Sequence, residues 1–151
     1  MVVLDYQIAA RSPEKSGKAN LLEATQDELH YSLFLGDVSF RIDGADFSAP
    51  WGWVPILDFA VAVAGVVCSL KDGDDEAFEF TESEALIRFR RQGDRVAVAA
   101  EYVDASALVL HRDLKAAVTE FKTRVISDLM SAYPELAQNS AFLKVRAEQA
   151  L

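Results

Sequence analysis

The chain has 151 residues, the size of one domain, and half of them are hydrophobic, which excludes a disordered polymer and leaves ample material for a core. Its formal net charge of −9 disfavours non-specific attraction to nucleic acid or to an anionic membrane. The charge is uneven: residues 1–22 are net +1, residues 23–84 net −12 and residues 85–151 net +2, so the acidity belongs to the middle of the chain.

In chain order, Val2, Leu4, Tyr6 and Ile8 alternate with Val3, Asp5 and Gln7, the period of a half-buried strand. The start lacks a basic segment ahead of its apolar residues and does not read as a signal peptide. "RSPEKSGKAN" reads as a loop. "ELHYSLFLGDVSFRIDG" reads as a hairpin. Leu29, Tyr31, Leu33 and Leu35 alternate into a Gly36-Asp37 turn, and Val38, Phe40 and Ile42 alternate out of it. This places His30 on the strand face opposite Leu29 and Tyr31.

"DFSAPWGWVP" breaks the pattern with two prolines and a glycine, which puts Trp51 and Trp53 in a loop. Pro55 suits the first position of a helix that runs to about Leu70, although Phe59, Val61 and Val63 would also suit a strand. The ten-residue apolar run "FAVAVAGVVC" is too short to span a bilayer and fits a buried core helix. Three further strands follow in "AFEFTE", "ALIRFRR" and "RVAVAAEYV", the last two joined by a turn at Gln92-Gly93-Asp94, and "SALVL" makes a short fourth.

From about Arg112 the period becomes helical through Leu114, Val118, Phe121, Val125 and Leu129, until Pro134 ends or restarts the helix. "NSAFLKVRAEQAL" reads as a last helix capped by Asn139 or Ser140. With no repeat or linker, residues 1–151 are expected to form one α+β domain. Its sheet is mostly antiparallel, with one buried central helix and C-terminal helices packed on it.

"LKDGDDEAFEFTESE", residues 70–84, holds seven carboxylates and only Lys71 against them. A calcium loop begun at Asp72 would need Gly sixth and Glu twelfth, where Ala77 and Ser83 stand, so the metal reading fails. A solvated turn leading into a strand is the plainest account. A surface for a cationic partner is the alternative that the lopsided charge supports.

The single cysteine, Cys68, excludes an intramolecular disulfide and fits a reducing cytosol; among "AGVVCSL" it reads as a small core hydrophobe. His30 and His111 lack companions for a zinc site, and no nucleophile elbow, phosphate loop or dinucleotide fingerprint occurs. Asp43 and Asp46 are explained by the turn at Gly44. Asp58 suits the first turn of its helix, and if buried it would need a partner such as Arg88 or Arg90. Arg88, Arg90, Arg91 and Arg95 make a basic patch with only Phe89 interleaved, a weak signal for nucleic acid. Trp51 and Trp53 are read first as a lid on the core and second as binding anchors.

The succession "GDVSFRIDG", "WVPILDFAVAV", "FEFTESEALIRFRRQGDRVAV" and "YPELAQN" resembles, in outline, small bacterial immunity proteins of polymorphic toxin systems. The resemblance implies a cytoplasmic, acidic, non-catalytic protein without cofactor or metal, which binds a cognate toxin. The charge pattern then nominates Asp72, Asp74, Asp75, Glu76, Glu79, Glu82 and Glu84 as partner-binding residues, with Trp51 or Trp53 as an anchor. A basic protein partner is expected, and neither nucleic acid nor membrane. A small-molecule or enzymatic pocket between sheet and helices, or a homo-oligomeric module, are the alternatives.

Overall fold

A computed structural model describes residues 1–81 and 83–149. The fold is α+β, with two antiparallel sheets rather than one and helices packed against them. In the first sheet β1 (Val2–Ile8) pairs with β2 (Leu35–Ile42) from Val2↔Ile42 to Ile8↔Gly36. The two-residue β3 (Ala45–Asp46) and β4 (Ala49–Pro55) both pair with β2 on its other side. Helix α1 (Ile56–Ser69) then leads to the second sheet, a meander of β5 (Asp75–Glu79), β6 (Leu86–Gln92), β7 (Arg95–Ala100) and β8 (Ser106–Leu110). Helix α2 (His111–Ala132), a 3₁₀ turn (Pro134–Gln138) and α3 (Ser140–Gln149) complete the chain. None of the helices among the described residues is long and apolar enough to cross a membrane.

The expected hairpin at Gly36-Asp37 does not form. Glu28–Ser32 is a π-helical turn, and Gly36 and Asp37 lie inside β2, opposite Ile8 and Gln7. Two local features override the alternation. Phe34 adopts φ 55°, which turns the chain before β2, and its N–H donates to the buried Glu14 carboxylate at 2.8 Å. Gly36 is needed because strands meet there: a Cβ would lie 2.0 Å from the Gln7 carbonyl oxygen. Its glycine therefore serves close approach and not a turn.

"DFSAPWGWVP" also departs from expectation, because it is largely strand. β4 lies at a sheet edge, where exposed Pro50 costs no ladder bond, and Gly52 at φ 78° is held by its N–H on Asp37 Oδ1 at 2.7 Å. The register shifts between Gly36 and Val38, and the strand bulges there. Pro55 stands at the helix N-cap, one position before the expected one.

The core lies where α1 packs on α2 and both meet the sheets. Phe59 of α1 is its hub: its ring contacts Phe78, Phe80 and Phe121 at centroid distances of 5.2, 5.9 and 6.1 Å. Phe78 and Phe80 point inward as their alternation indicates. At α3, Asn139 is the cap: its Oδ1 accepts Phe142 N–H while its amide donates to Leu21 and Ala24 carbonyls.

Two side-chain expectations change. Cys68 is exposed, its Sγ 3.7 Å from Thr119 Oγ1, because at the end of α1 the apolar run outlasts the buried stripe. The apolar run says nothing about which helix face Cys68 occupies. Asp58 pairs with His30 Nδ1 at 3.2 Å, and not with Arg88 or Arg90, which stand on the outer face of the second sheet.

Candidate partner-binding surface

The acidic segment forms one edge of the second sheet. Among the described residues β5 pairs only with β6, in the register Asp75↔Arg90, Ala77↔Arg88 and Glu79↔Leu86. Asp75, Ala77 and Glu79 therefore share the outer face with Arg88 and Arg90, while Phe78 points into the core.

The carboxylates divide by what holds them. Asp72 Oδ1 accepts the Gly93 N–H at 2.7 Å, and Asp74 Oδ2 accepts the Lys71 N–H at 2.8 Å, so both serve turns. Asp75 meets Arg88 at 3.4 Å, and Arg88 also reaches Glu101 at 3.8 Å. Arg91 is occupied by the Leu70 and Gly93 carbonyls, closing the same loops. Glu76, Glu79 and Glu84 are exposed and have no partner among the described residues. Glu82 lies outside the described residues.

The fold thus brings the chain's own arginines beside much of its acidity. Residues 70–84 alone are net −6, whereas residues 71–95, with five basic and eight acidic side chains, are net −3. What remains unmatched is narrower than the sequence suggests.

The tryptophans stand at one end of this edge. Trp51 packs edge-on against Phe80, the residue after β5, and against Tyr102, both at 5.0 Å. Trp53 stacks on Trp51 at 5.2 Å and 21° and is 38% exposed. The two readings of these residues therefore separate: Trp51 is the lid and Trp53 offers the free aromatic face. Tyr102 donates to the Phe47 carbonyl oxygen, and burial pushes its phenol pKa upward. Glu84 lies in the turn that returns to β6 beside Phe80, whose N–H is bonded to the Ala85 carbonyl.

Elsewhere, His111 Nε2 lies 2.9 Å from the Val67 carbonyl oxygen, near the C-terminal end of α1. No group of three His, Cys, Asp or Glu side chains among the described residues is arranged to hold a metal ion.

The sequence reading passed over a second region. The Asp43–Asp46 turn faces β8 and the loop before it across a groove of about 650 Å³, on whose rim Asp104 joins Asp43 and Asp46. The Ser48 hydroxyl and then its backbone N–H hold the Asp46 carboxyl below its ordinary pKa. Asp43 contacts the N-terminal ammonium of Met1. The one signal in the sequence was "SALVL", a strand without a charged residue. Compared with known protein families, with curated proteins and with solved structures, the chain matches none.

Proposed function

We propose that this is a non-catalytic, cytoplasmic binding protein that captures a basic protein partner, in the manner of an immunity protein neutralising a bacterial toxin. The observation that supports it is the unmatched acidity around β5. Glu76, Glu79 and Glu84 are exposed and unmatched among the described residues, and Trp53, stacked on Trp51, shows its exposed side at the Phe80 end of the strand. Glu79 stands on the outer face, Glu76 has the parity of Phe78 on the other face, and Glu84 lies in the turn after the strand, so together they set up a local negative field and not a single row.

Fixed carboxylates without internal cations raise the rate of encounter with a positive surface, and an exposed tryptophan supplies buried area once contact is made. Asp72 and Asp74, engaged in turns, hold the edge in shape, and Asp75 is shared with Arg88. The test partner is a basic toxin-like domain, to be sought among the genes beside this one. Mixing the two purified proteins at low salt should give a stable complex on size exclusion and loss of the toxin's activity. Absence of a complex at low salt would overturn the reading.

A further inference from the structure

The two edges of the second sheet differ in chemistry. Antiparallel ladders alternate residue pairs that exchange backbone bonds with pairs that do not. Phe80 N–H donates to Ala85 O and Arg91 N–H to Asp74 O, so the free backbone groups of β5 belong to Asp75, Ala77 and Glu79. Two of those three residues carry a charge, the usual guard against an added strand.

β8 has no such guard. His111 N–H donates to Asp94 O at 2.7 Å, which with the register makes Val96–Val109 and Val98–Ala107 the bonded pairs. Glu101 N–H donating to Leu86 O gives the same alternation from the β6 side. The backbone groups of Ser106 and Leu108 therefore face away from β7. No backbone bond outside the strands reaches them among the described residues. The strand reads Ser-Ala-Leu-Val-Leu, and Leu108 is 52% exposed.

In front of this edge lies the groove walled by Ile42–Asp46, with Ala105 and Ala107 on the β8 side and Val103 at its end, 37% exposed. Its rim carries Asp43, paired with the Met1 ammonium, Asp46, paired with Arg41 at 3.5 Å, and Asp104, which has no partner among the described residues and supplies the unmatched charge. Free backbone donors and acceptors recognise an extended chain, and the rim selects its charge. We propose that β8 accepts an extended segment of a partner protein, bearing alternating Lys or Arg residues, as a fifth strand of the second sheet. This goes beyond the β5 surface and does not depend on it.

The test uses the full chain, ¹⁵N-labelled, with an acetylated and amidated Lys-Val octapeptide as probe and a Glu-Val octapeptide as control. Amide hydrogen exchange is read by NMR. With the Lys-Val peptide, the Ser106 and Leu108 amides should slow at least about tenfold, the gain of one new ladder bond at each. Asp104→Asn should weaken binding of that peptide by roughly three- to fivefold, the size of one exposed ion pair. Leu108→Pro, which removes an N–H that β7 does not use, should abolish binding while circular dichroism stays unchanged. Should that variant fail to fold, the Asp104→Asn and exchange results decide. Substituting Glu76, Glu79 and Glu84 by Gln should leave the result unaltered, which separates this site from the β5 surface. The proposal is overturned if the Ser106 and Leu108 amides are not slowed. Equal binding of the Glu-Val peptide, slowing at Asp75 and Ala77 instead, or slowing that follows protein concentration without peptide would overturn it equally.

Discussion

Glu14 offers the sharpest test of how the chain is turned into β2. Its side chain is 4% exposed, and Oε1 accepts both the Ser12 hydroxyl at 2.6 Å and the Phe34 N–H at 2.8 Å. Ser12 Oγ in turn accepts the Leu35 N–H at 2.9 Å. Oε2 has no partner among the described residues. Replacing Glu14 by Ala orphans the N–H of Phe34, itself fully buried, at a cost of about 1–3 kcal/mol. Loss of the buried methylene adds about 0.8 kcal/mol.

Removing a buried charge returns part of this, so the expected net loss is about 2–3 kcal/mol, or roughly 4–12 °C in Tm for a chain of this size. Glu14→Gln keeps an acceptor where Oε1 stands and removes the charge, so it should cost under about 1 kcal/mol. Urea unfolding followed by far-UV circular dichroism measures both. Equal destabilisation by Ala and Gln would refute the argument, since the charge and not the hydrogen bond would then be what matters.

Further outcomes follow from the same contacts. Gly36→Ala, whose Cβ would meet the Gln7 carbonyl, should cost at least about 3 kcal/mol by thermal melting; a loss under 1 kcal/mol would deny the close strand approach. Trp51→Ala should lose about 2–4 kcal/mol and Trp53→Ala under about 1 kcal/mol in urea; the reverse order would show the lid wrongly placed. Cys68 should react fully with a thiol reagent in native buffer, and a requirement for denaturant would contradict its exposure.

Tyr6, which donates to Asp128 Oδ2 at 2.6 Å, and Tyr102 both have phenols pushed upward, chiefly by burial. Their contribution is fully present below the unfolded tyrosine pKa of about 10 and is lost as pH rises towards the folded values. Urea midpoints should therefore fall from pH 9 to pH 11, and Tyr6→Phe with Tyr102→Phe should flatten that fall. An equal fall in the double variant would exclude these phenols as its cause.

The regular elements were legible because one residue pattern sufficed for each. The 3.6-residue period of α2 survives intact from Leu114 to Leu129, and Gly93 between two alternating strands leaves little choice of turn. Segments fixed by distant partners were not legible. Leu29–Leu35 alternates as a strand does, but Glu14, twenty residues before Phe34, bends it into a turn. β4 carries two prolines and a glycine, and the missing information was that it lies at an edge.

The acidic segment was legible as a charge excess, while its internal matching was not. The Asp75↔Arg90 and Ala77↔Arg88 register comes from β6, and nothing local to residues 70–84 announces it. The groove at β8 was hidden for the same reason, since Asp43 and Asp104 are sixty-one positions apart.

The reading of the β5 edge stands on three carboxylates that no cation of the described chain answers. Stopped-flow association with the basic partner proposed above, at low and high salt, compares wild type with the Glu76→Gln, Glu79→Gln, Glu84→Gln variant. Steering by these groups requires an on-rate about tenfold lower in the variant at low salt, converging with wild type at high salt. Identical on-rates at both ionic strengths would contradict it.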